Sequence, residues 1–213
     1  MRELKKVGIL GTGSMGKGLA VAFAEAGNTV CLGSREADKG KKIAELLSHC
    51  KITGGSNQDA AEQSEYVVLA MRYQKDHPVL GELKPLLADK VIIDISNPII
   101  DVGGDIEPLW RISASESIAG ELEHSKVIGA FKNTFASTLS SPYFDQMKSH
   151  VLVVGDDQQA KNEFIQMVNF MPFEALDAGP LRMARVLEGM SAMMYSFAQQ
   201  ASYRNKIGIR LLN

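Results

Sequence analysis

Short apolar runs rich in Val and Ile recur along the chain, separated by segments in which apolar residues have helical spacing. This alternation predicts an α/β fold in which crossover helices join a mostly parallel sheet. The runs at 67–70 and 91–93 are apolar at every position, as expected for strands covered by helices on both faces. The predicted strands span residues 6–10, 29–32, 51–53, 66–70, 91–95, 126–130, 150–154 and 173–175.

Two segments have the clearest helical spacing. A first helix is predicted from Ser14 to about Ala26, and Gly27 ends it. A last helix is predicted to begin at Pro180, since proline is favoured in a first helical turn. Its apolar residues are spaced as one buried stripe, either in the core or in the seam of a homodimer. They are Met183, Leu187, Met190, Met194 and Phe197.

The stretch between residues 98 and 120 has no clear periodicity. Gly103, Gly104 and Pro108 predict a loop there that reaches over a ligand.

Length and charge narrow the class of protein. A chain of 213 residues, 45% hydrophobic and 23% charged, can bury one domain with a small appendage. The formal net charge of -2 gives no electrostatic reason to expect nucleic acid or an anionic membrane as partner. No apolar run approaches the ~20 residues that cross a bilayer, and residues 1–6 lack a signal-peptide core, so we expect a cytoplasmic protein. Cys31 and Cys50 form no Cys-x-x-Cys pair, and Cys31 is expected to be a buried thiol.

A glycine fingerprint follows the first predicted strand. Gly11-Thr12-Gly13-Ser14-Met15-Gly16 ends that strand, opens the first helix and begins a strand–helix–strand unit, which is the context of a dinucleotide site. Gly11 permits the tight turn, Gly13 lets the backbone approach a pyrophosphate, and Gly16 lets the helix pack on the strand. We therefore predict a Rossmann-like, doubly wound domain over residues 1–179. A short helical cap over residues 180–213 is predicted to close the cleft of a second substrate.

The end of the second predicted strand indicates which dinucleotide binds. NAD enzymes place an acidic residue there to bond the ribose 2′-hydroxyl, but this chain has Ser34 and Arg35, with Lys39 four residues later. Hydroxyl, guanidinium and ammonium groups attract a 2′-phosphate. Glu36 and Asp38 lie past the strand end and are expected to point outward. NADP is therefore predicted over NAD.

The carboxyl ends of later strands should converge near the nicotinamide. Asn97 and Pro98 force the chain out of the sheet and are expected to contact the coenzyme, as are Ala70, Met71 and Ala130. The residues predicted to line a second-substrate pocket are Arg72, His77, Phe131, Lys132 and Asn133. For Lys132 and Asn133 a plain polar loop is an equal alternative. We find no convincing proton donor, no catalytic side chain and no metal-ligand cluster.

The chain resembles the NADPH-dependent deazaflavin-coenzyme (F420) reductase family, and it is also similar to the oxidoreductase domain of six-transmembrane metalloreductases. Besides the fingerprint and Gly33-Ser34-Arg35, the matching segments keep the family's order along nearly the whole chain. They are Asp94-Ile95-Ser96-Asn97-Pro98, Gly155-Asp156-Asp157, Asp177-Ala178-Gly179-Pro180-Leu181 and Ile207-Gly208-Ile209-Arg210.

The resemblance implies direct hydride transfer between NADPH and a stacked deazaflavin, which agrees with the missing proton donor. It implies that Thr12, Ser34, Arg35 and Lys39 hold the 2′-phosphate end, and that residues 130–133 and the C-terminal residues bound the second ring. Lys132 stands where deazaflavin reductases carry His, and Arg72-Tyr73 stands where many members have Pro-Trp. Both departures fall in the acceptor pocket, so a flavin, a quinone or another planar molecule is an alternative acceptor.

Two other functions stay open. An imine reductase similar to pyrroline-5-carboxylate reductase shares the fingerprint, although that family has a longer helical C-terminal region. A non-enzymatic NADPH sensor could present the Met-rich last helix to a partner protein.

Overall fold

The computed structural model describes residues 3–102, 105–108, 111–200 and 206–212. Its centre is an eight-stranded sheet with the order β12-β11-β8-β5-β4-β1-β2-β3. These strands are β1 (Lys6–Leu10), β2 (Thr29–Ser34), β3 (Ile52–Ser56), β4 (Tyr66–Leu69), β5 (Val91–Asp94), β8 (Lys126–Gly129), β11 (His150–Gly155) and β12 (Glu174–Asp177). Neighbouring strands are parallel except β8 and β11. The predicted α/β class and mostly parallel sheet are confirmed.

Helices cover both faces of this sheet. They are α1 (Ser14–Glu25), α2 (Ala37–Leu47), α3 (Asn57–Glu62), α4 (Pro78–Leu87), α5 (Ala114–Glu121), α6 (Ala136–Ser140), α7 (Gln158–Asn169) and α8 (Ala184–Ala198). One apolar layer packs α1, α2 and α7 on the sheet, and another packs α3, α4 and α5. Cys31 lies in the second layer, and burial raises the pKa of its thiol. The strand order reverses between β1 and β4, so the crevice that binds ligands in such folds opens at their carboxyl ends.

The stretch predicted as a loop after Pro98 has regular structure. Strands β6 (Ile99–Val102) and β7 (Asp105–Pro108) pair antiparallel, and α5 follows. The loop prediction is therefore wrong for most of this stretch, and Gly103 and Gly104 lie outside the described residues. A second small hairpin, β9 (Tyr143–Phe144) with β10 (Met147–Lys148), precedes β11.

The last helix differs from its prediction at both start and face. Pro180 has an extended backbone with ψ 164° and precedes a 3₁₀ turn at Leu181–Met183, so the α-helix begins at Ala184. Within one chain only part of the predicted stripe is buried: Leu187 and Met194 are buried, whereas Met183 and Phe197 are exposed. The buried face also carries Glu188 and Ser191, because it packs on polar groups at the carboxyl edge of the sheet.

Candidate functional site

The glycine turn between β1 and α1 is shaped by close backbone contacts. Gly11 has φ +126°, and a Cβ on Gly16 would come within 2.0 Å of the Gly11 carbonyl oxygen. A Cβ on Gly13, in contrast, would meet no atom within 4 Å. Gly13 is also the N-cap of α1 and offers no side-chain acceptor to the first-turn amides. The turn therefore leaves open backbone and helix-start amides where a pyrophosphate fits. Thr12, Ser14 and Met15 lie within this turn and the first turn of α1, where the sequence predicted them.

A pocket of about 300 Å³ lies beside this turn, at the carboxyl ends of β1, β2 and β4. Ser34, Arg35 and Lys39, which the sequence assigned to the coenzyme, line it together with Thr12, Ala70 and Met71. Its lining contains three cationic side chains, Arg35, Lys39 and Arg72, and no carboxylate. Its charge therefore suits a phosphate-bearing ligand.

The two acidic residues near this pocket point elsewhere. Glu36 is exposed and stands at the N-cap of α2, while Asp38 is exposed and lies 4.0 Å from Lys41. Neither lines the pocket. The described residues that line this pocket therefore include no carboxylate to bond a ribose 2′-hydroxyl, as an NAD site would have.

His77 and Arg72 lie in the loop between β4 and α4. The sequence assigned both to a second-substrate pocket, but they line the same pocket as Arg35 and Lys39. His77 caps α4, because its Nδ1 accepts a hydrogen bond from the Val79 amide at 3.2 Å. A neutral His77 in this arrangement carries its proton on Nε2. Asn57, which the sequence did not indicate, completes the same wall.

The turn after β5 carries the predicted coenzyme residues Asn97 and Pro98, both half-buried. Asn97 Nδ2 donates to the Lys132 carbonyl at 2.7 Å, while Asn97 Oδ1 is buried with no hydrogen-bond partner among the described residues. The predicted contact Ala130 is fully buried.

The three residues after Ala130 face the interior. Phe131, with φ 54°, packs edge-on to Phe23, Phe164 and Phe173. Asn133 is fully buried, and its amide bonds the backbone of His150 and Leu152. Lys132 is also buried. The sequence predicted that these side chains line an open pocket, but they pack on or bond to other parts of the protein. The left-handed backbone at Phe131 directs them inward.

Buried polar groups surround the Lys132 ammonium, and we call Asp94, Ser96, Ser115, Lys132 and Glu188 the Lys132 cluster. Lys132 Nζ donates to Asp94 Oδ2 at 2.8 Å, to Glu188 Oε1 at 2.9 Å and to the Ser96 carbonyl. Ser115 and Ser96 donate to Asp94, and the Ala114 amide donates to both oxygens of Glu188.

The burial of the cluster affects the ionisation of its Glu188 carboxyl. Burial raises the pKa of the Glu188 carboxyl, and Lys132 opposes that effect. Sequence reasoning missed Glu188, since a single Glu in a helix usually lies on the solvated face.

The described residues contain no group of three or more His, Cys, Asp or Glu side chains that could hold a metal ion. Within the same residues, no helix combines the length and apolar character that crossing a bilayer requires.

Comparison with known proteins gives a consistent family. The family model "NADP oxidoreductase coenzyme F420-dependent" matches residues 6–98. The F420-dependent NADP reductase of Methanocaldococcus jannaschii is 30% identical, covering 98% of this chain and 98% of its own length. Metalloreductase STEAP3 of Rattus norvegicus is 32% identical over 89% of this chain but only 37% of its own length. A crystal structure from Arthrobacter sp. FB24, provisionally assigned as an F420-dependent NADP reductase, has the same fold. Its TM-score is 0.84 at 23% identity, covering 99% of this chain and all of that one.

Proposed function

Because this chain belongs to the F420-dependent NADP oxidoreductase family, we propose that it is an NADP(H)-dependent oxidoreductase whose second substrate is a planar redox coenzyme of the deazaflavin class. The observation that carries the NADP half is the pocket with three cations and no carboxylate beside the glycine turn. The M. jannaschii relative, matched along its length, supports the deazaflavin half.

In this proposal the protein binds and orients, and the coenzymes supply the redox chemistry. NADPH gives up a hydride, which carries two electrons, to a ring carbon of the acceptor, and the reduced acceptor takes one proton from solvent. The turn at Gly13 receives the pyrophosphate, and Ser34, Arg35 and Lys39 receive the 2′-phosphate. Direct stacking of the two rings would account for hydride transfer without a protein acid or base.

Arg72 and His77 belong to the NADP side of this proposal. Since they line the pocket of Arg35 and Lys39, they are expected to contact the adenosine half. Arg72 adds a cation, and His77 can donate through Nε2 when it is neutral. The acceptor would then lie nearer the turn at Asn97 and the cap formed by α8.

The exposed face of α8 favours a homodimer. Val186 is 55% exposed and Met193 is 53% exposed, and half-buried Met190 lies between them at helical spacing. Large apolar side chains on one helix face mark an association surface. Sedimentation of the protein should show a dimer that the substitution Met193→Glu dissociates, and a monomeric unsubstituted protein would refute it.

The function is tested by following NADPH oxidation with deazaflavin, FMN, FAD and a quinone offered in parallel. We expect the deazaflavin to be reduced fastest, with NADH a poor donor. A faster reaction with FMN or FAD would make the protein a flavin reductase. Turnover of a cyclic imine would support the imine-reductase alternative. NADPH binding without oxidation by any acceptor would support the sensor.

A further inference from the structure

Lys132 bonds two separate parts of the chain, the turn after β5 and α8, through both its ammonium and its main-chain carbonyl. The ammonium reaches Asp94 and Ser96 after β5 and Glu188 on α8. The carbonyl accepts hydrogen bonds from Asn97 Nδ2 and from the Ser191 hydroxyl, which is also on α8. The turn after β5 and the last helix are therefore fixed to the same residue.

The charges of this cluster are fully buried. The side chains of Lys132 and Asp94 are 0% exposed, and that of Glu188 is 3% exposed. Three acceptors surround Lys132 Nζ, one for each hydrogen of an ammonium. Two carboxylates and one ammonium are costly to bury, and apolar side chains of similar size would stabilise a fold at least as well. Fold stability alone does not account for the cluster.

The cluster positions a turn at the ligand-binding edge of the sheet. Asp94 is the last residue of β5, and Ser96 and Asn97 form the turn that follows it. Asp94 and Ser96 share a small pocket with Met71 and Arg72, which also line the larger pocket assigned to the adenosine half. Asn97 Oδ1, buried and without a partner among the described residues, belongs to the same turn.

We propose that Glu188, acting through Lys132, is a positioning residue that sets the Ser96–Asn97 turn against the nicotinamide half of NADP(H). This inference rests on the proposed function. It adds that α8 supports coenzyme geometry from behind the sheet edge, without touching the coenzyme.

The test compares two ligands that differ only in the nicotinamide half. Isothermal calorimetry gives the Kd of NADPH and of 2′,5′-ADP, which keeps the adenosine and the 2′-phosphate. In E188L, Lys132 Nζ and the Ala114 amide lose their acceptor, and the Kd of NADPH should rise about tenfold while that of 2′,5′-ADP changes less than about twofold. E188Q should recover most of the affinity, because one amide oxygen can accept both bonds now made by Glu188 Oε1.

Arg185 provides the matched control. Its guanidinium pairs with Glu116 at 2.6 Å and so links α8 to α5 without a hydrogen bond to Lys132 among those of the described residues. R185L should leave both Kd values near those of the unsubstituted protein. Thermal unfolding of each variant reports whether it is folded, and if E188L is not, S191A should show the same selective loss for NADPH at smaller size.

Three results would overturn the inference: equal weakening of both ligands, no weakening in E188L or S191A, or an R185L variant that behaves like E188L. Failure of the unsubstituted protein to bind NADPH at all would refute the proposed function, and the inference would fall with it.

Discussion

Replacing Arg35 by Asp tests the coenzyme assignment most directly. Arg35 lines the pocket beside the glycine turn, on the strand end where an NAD enzyme carries a carboxylate. The substitution removes one of three cations from the lining and adds a negative charge opposite the expected 2′-phosphate. NADH has no such phosphate, so the effect should be confined to NADPH.

The size of the effect follows from two contributions. A hydrogen bond between charged groups contributes about 1.5–3 kcal/mol. A like charge at about 4 Å adds roughly 1 kcal/mol in water and about 4 kcal/mol near a protein surface. Because Arg35 is exposed, screening favours the lower end of both ranges. A total of about 3 kcal/mol corresponds to a Kd for NADPH that rises roughly hundredfold.

Calorimetric titration with NADPH and NADH, at low and high salt, measures this effect. Lys42→Asp makes the same charge change on the following helix, α2, at an exposed residue outside the pocket lining, and it should leave both Kd values nearly unchanged. The NADPH loss in R35D should shrink as salt rises, since screening weakens the repulsion. Equal losses for NADPH and NADH, or a comparable loss in K42D, would refute the phosphate assignment.

Further predictions concern the glycine turn, the Lys132 cluster and one surface carboxylate. G13A should unfold at the temperature of the unsubstituted protein yet bind NADPH weakly, whereas G16A should lower the unfolding temperature itself, because its Cβ would meet the Gly11 carbonyl oxygen; the reverse pattern would contradict the assigned turn. K132M should lower the free energy of unfolding by about 3–5 kcal/mol. That loss should shrink as pH falls, because burial raises the pKa of Glu188 and its protonation removes one of the charges left unpaired; a pH-independent loss in urea titrations would argue against it. For Glu116, burial is outweighed by hydrogen bonds from Arg185 and Ser113, which hold its pKa at about 2, below the ordinary 4.5. The stability it contributes is present above pH 4.5 and lost as pH falls toward 2, so the stability difference between the unsubstituted protein and E116Q should narrow over that range. A constant difference in acid-unfolding curves would contradict this.

Much of the fold is predictable because its signals are local. The first strand is predicted with its observed limits, 6–10, since the fingerprint fixes its end, and most other strands lie within two residues of theirs. The elements after Pro98 were missed although part of their signal is present. Ser113 and Glu116 form a capping box that marks the start of α5, and that signal is readable in the sequence.

The two parts of the candidate site, the pocket beside the glycine turn and the Lys132 cluster, also differ in how local their sequence signals are. The pocket beside the glycine turn is lined by Thr12, Ser34 and Arg35, which follow strand ends that are recognisable in the sequence, whereas its Asn57 was not indicated and its Arg72 and His77 were assigned to another pocket. The burial of Lys132 could not be predicted, because its partners Asp94 and Glu188 lie 38 and 56 residues away. A positive φ at Phe131 turns the chain so that the lysine points inward. The residue type at this position does not predict that conformation, since phenylalanine rarely adopts it.

The burial of Lys132 between two carboxylates restricts the order in which substitutions can accumulate in the Lys132 cluster. Exchange of the lysine for a neutral residue leaves Asp94 and Glu188 without their shared cation. Exchange of Glu188 for a neutral residue first leaves an intact Lys132–Asp94 pair. Substitutions that reshape this edge of the sheet are therefore better tolerated when Glu188 is replaced first than when Lys132 is replaced first. Libraries that redesign acceptor choice should vary α8 before the turn after β8.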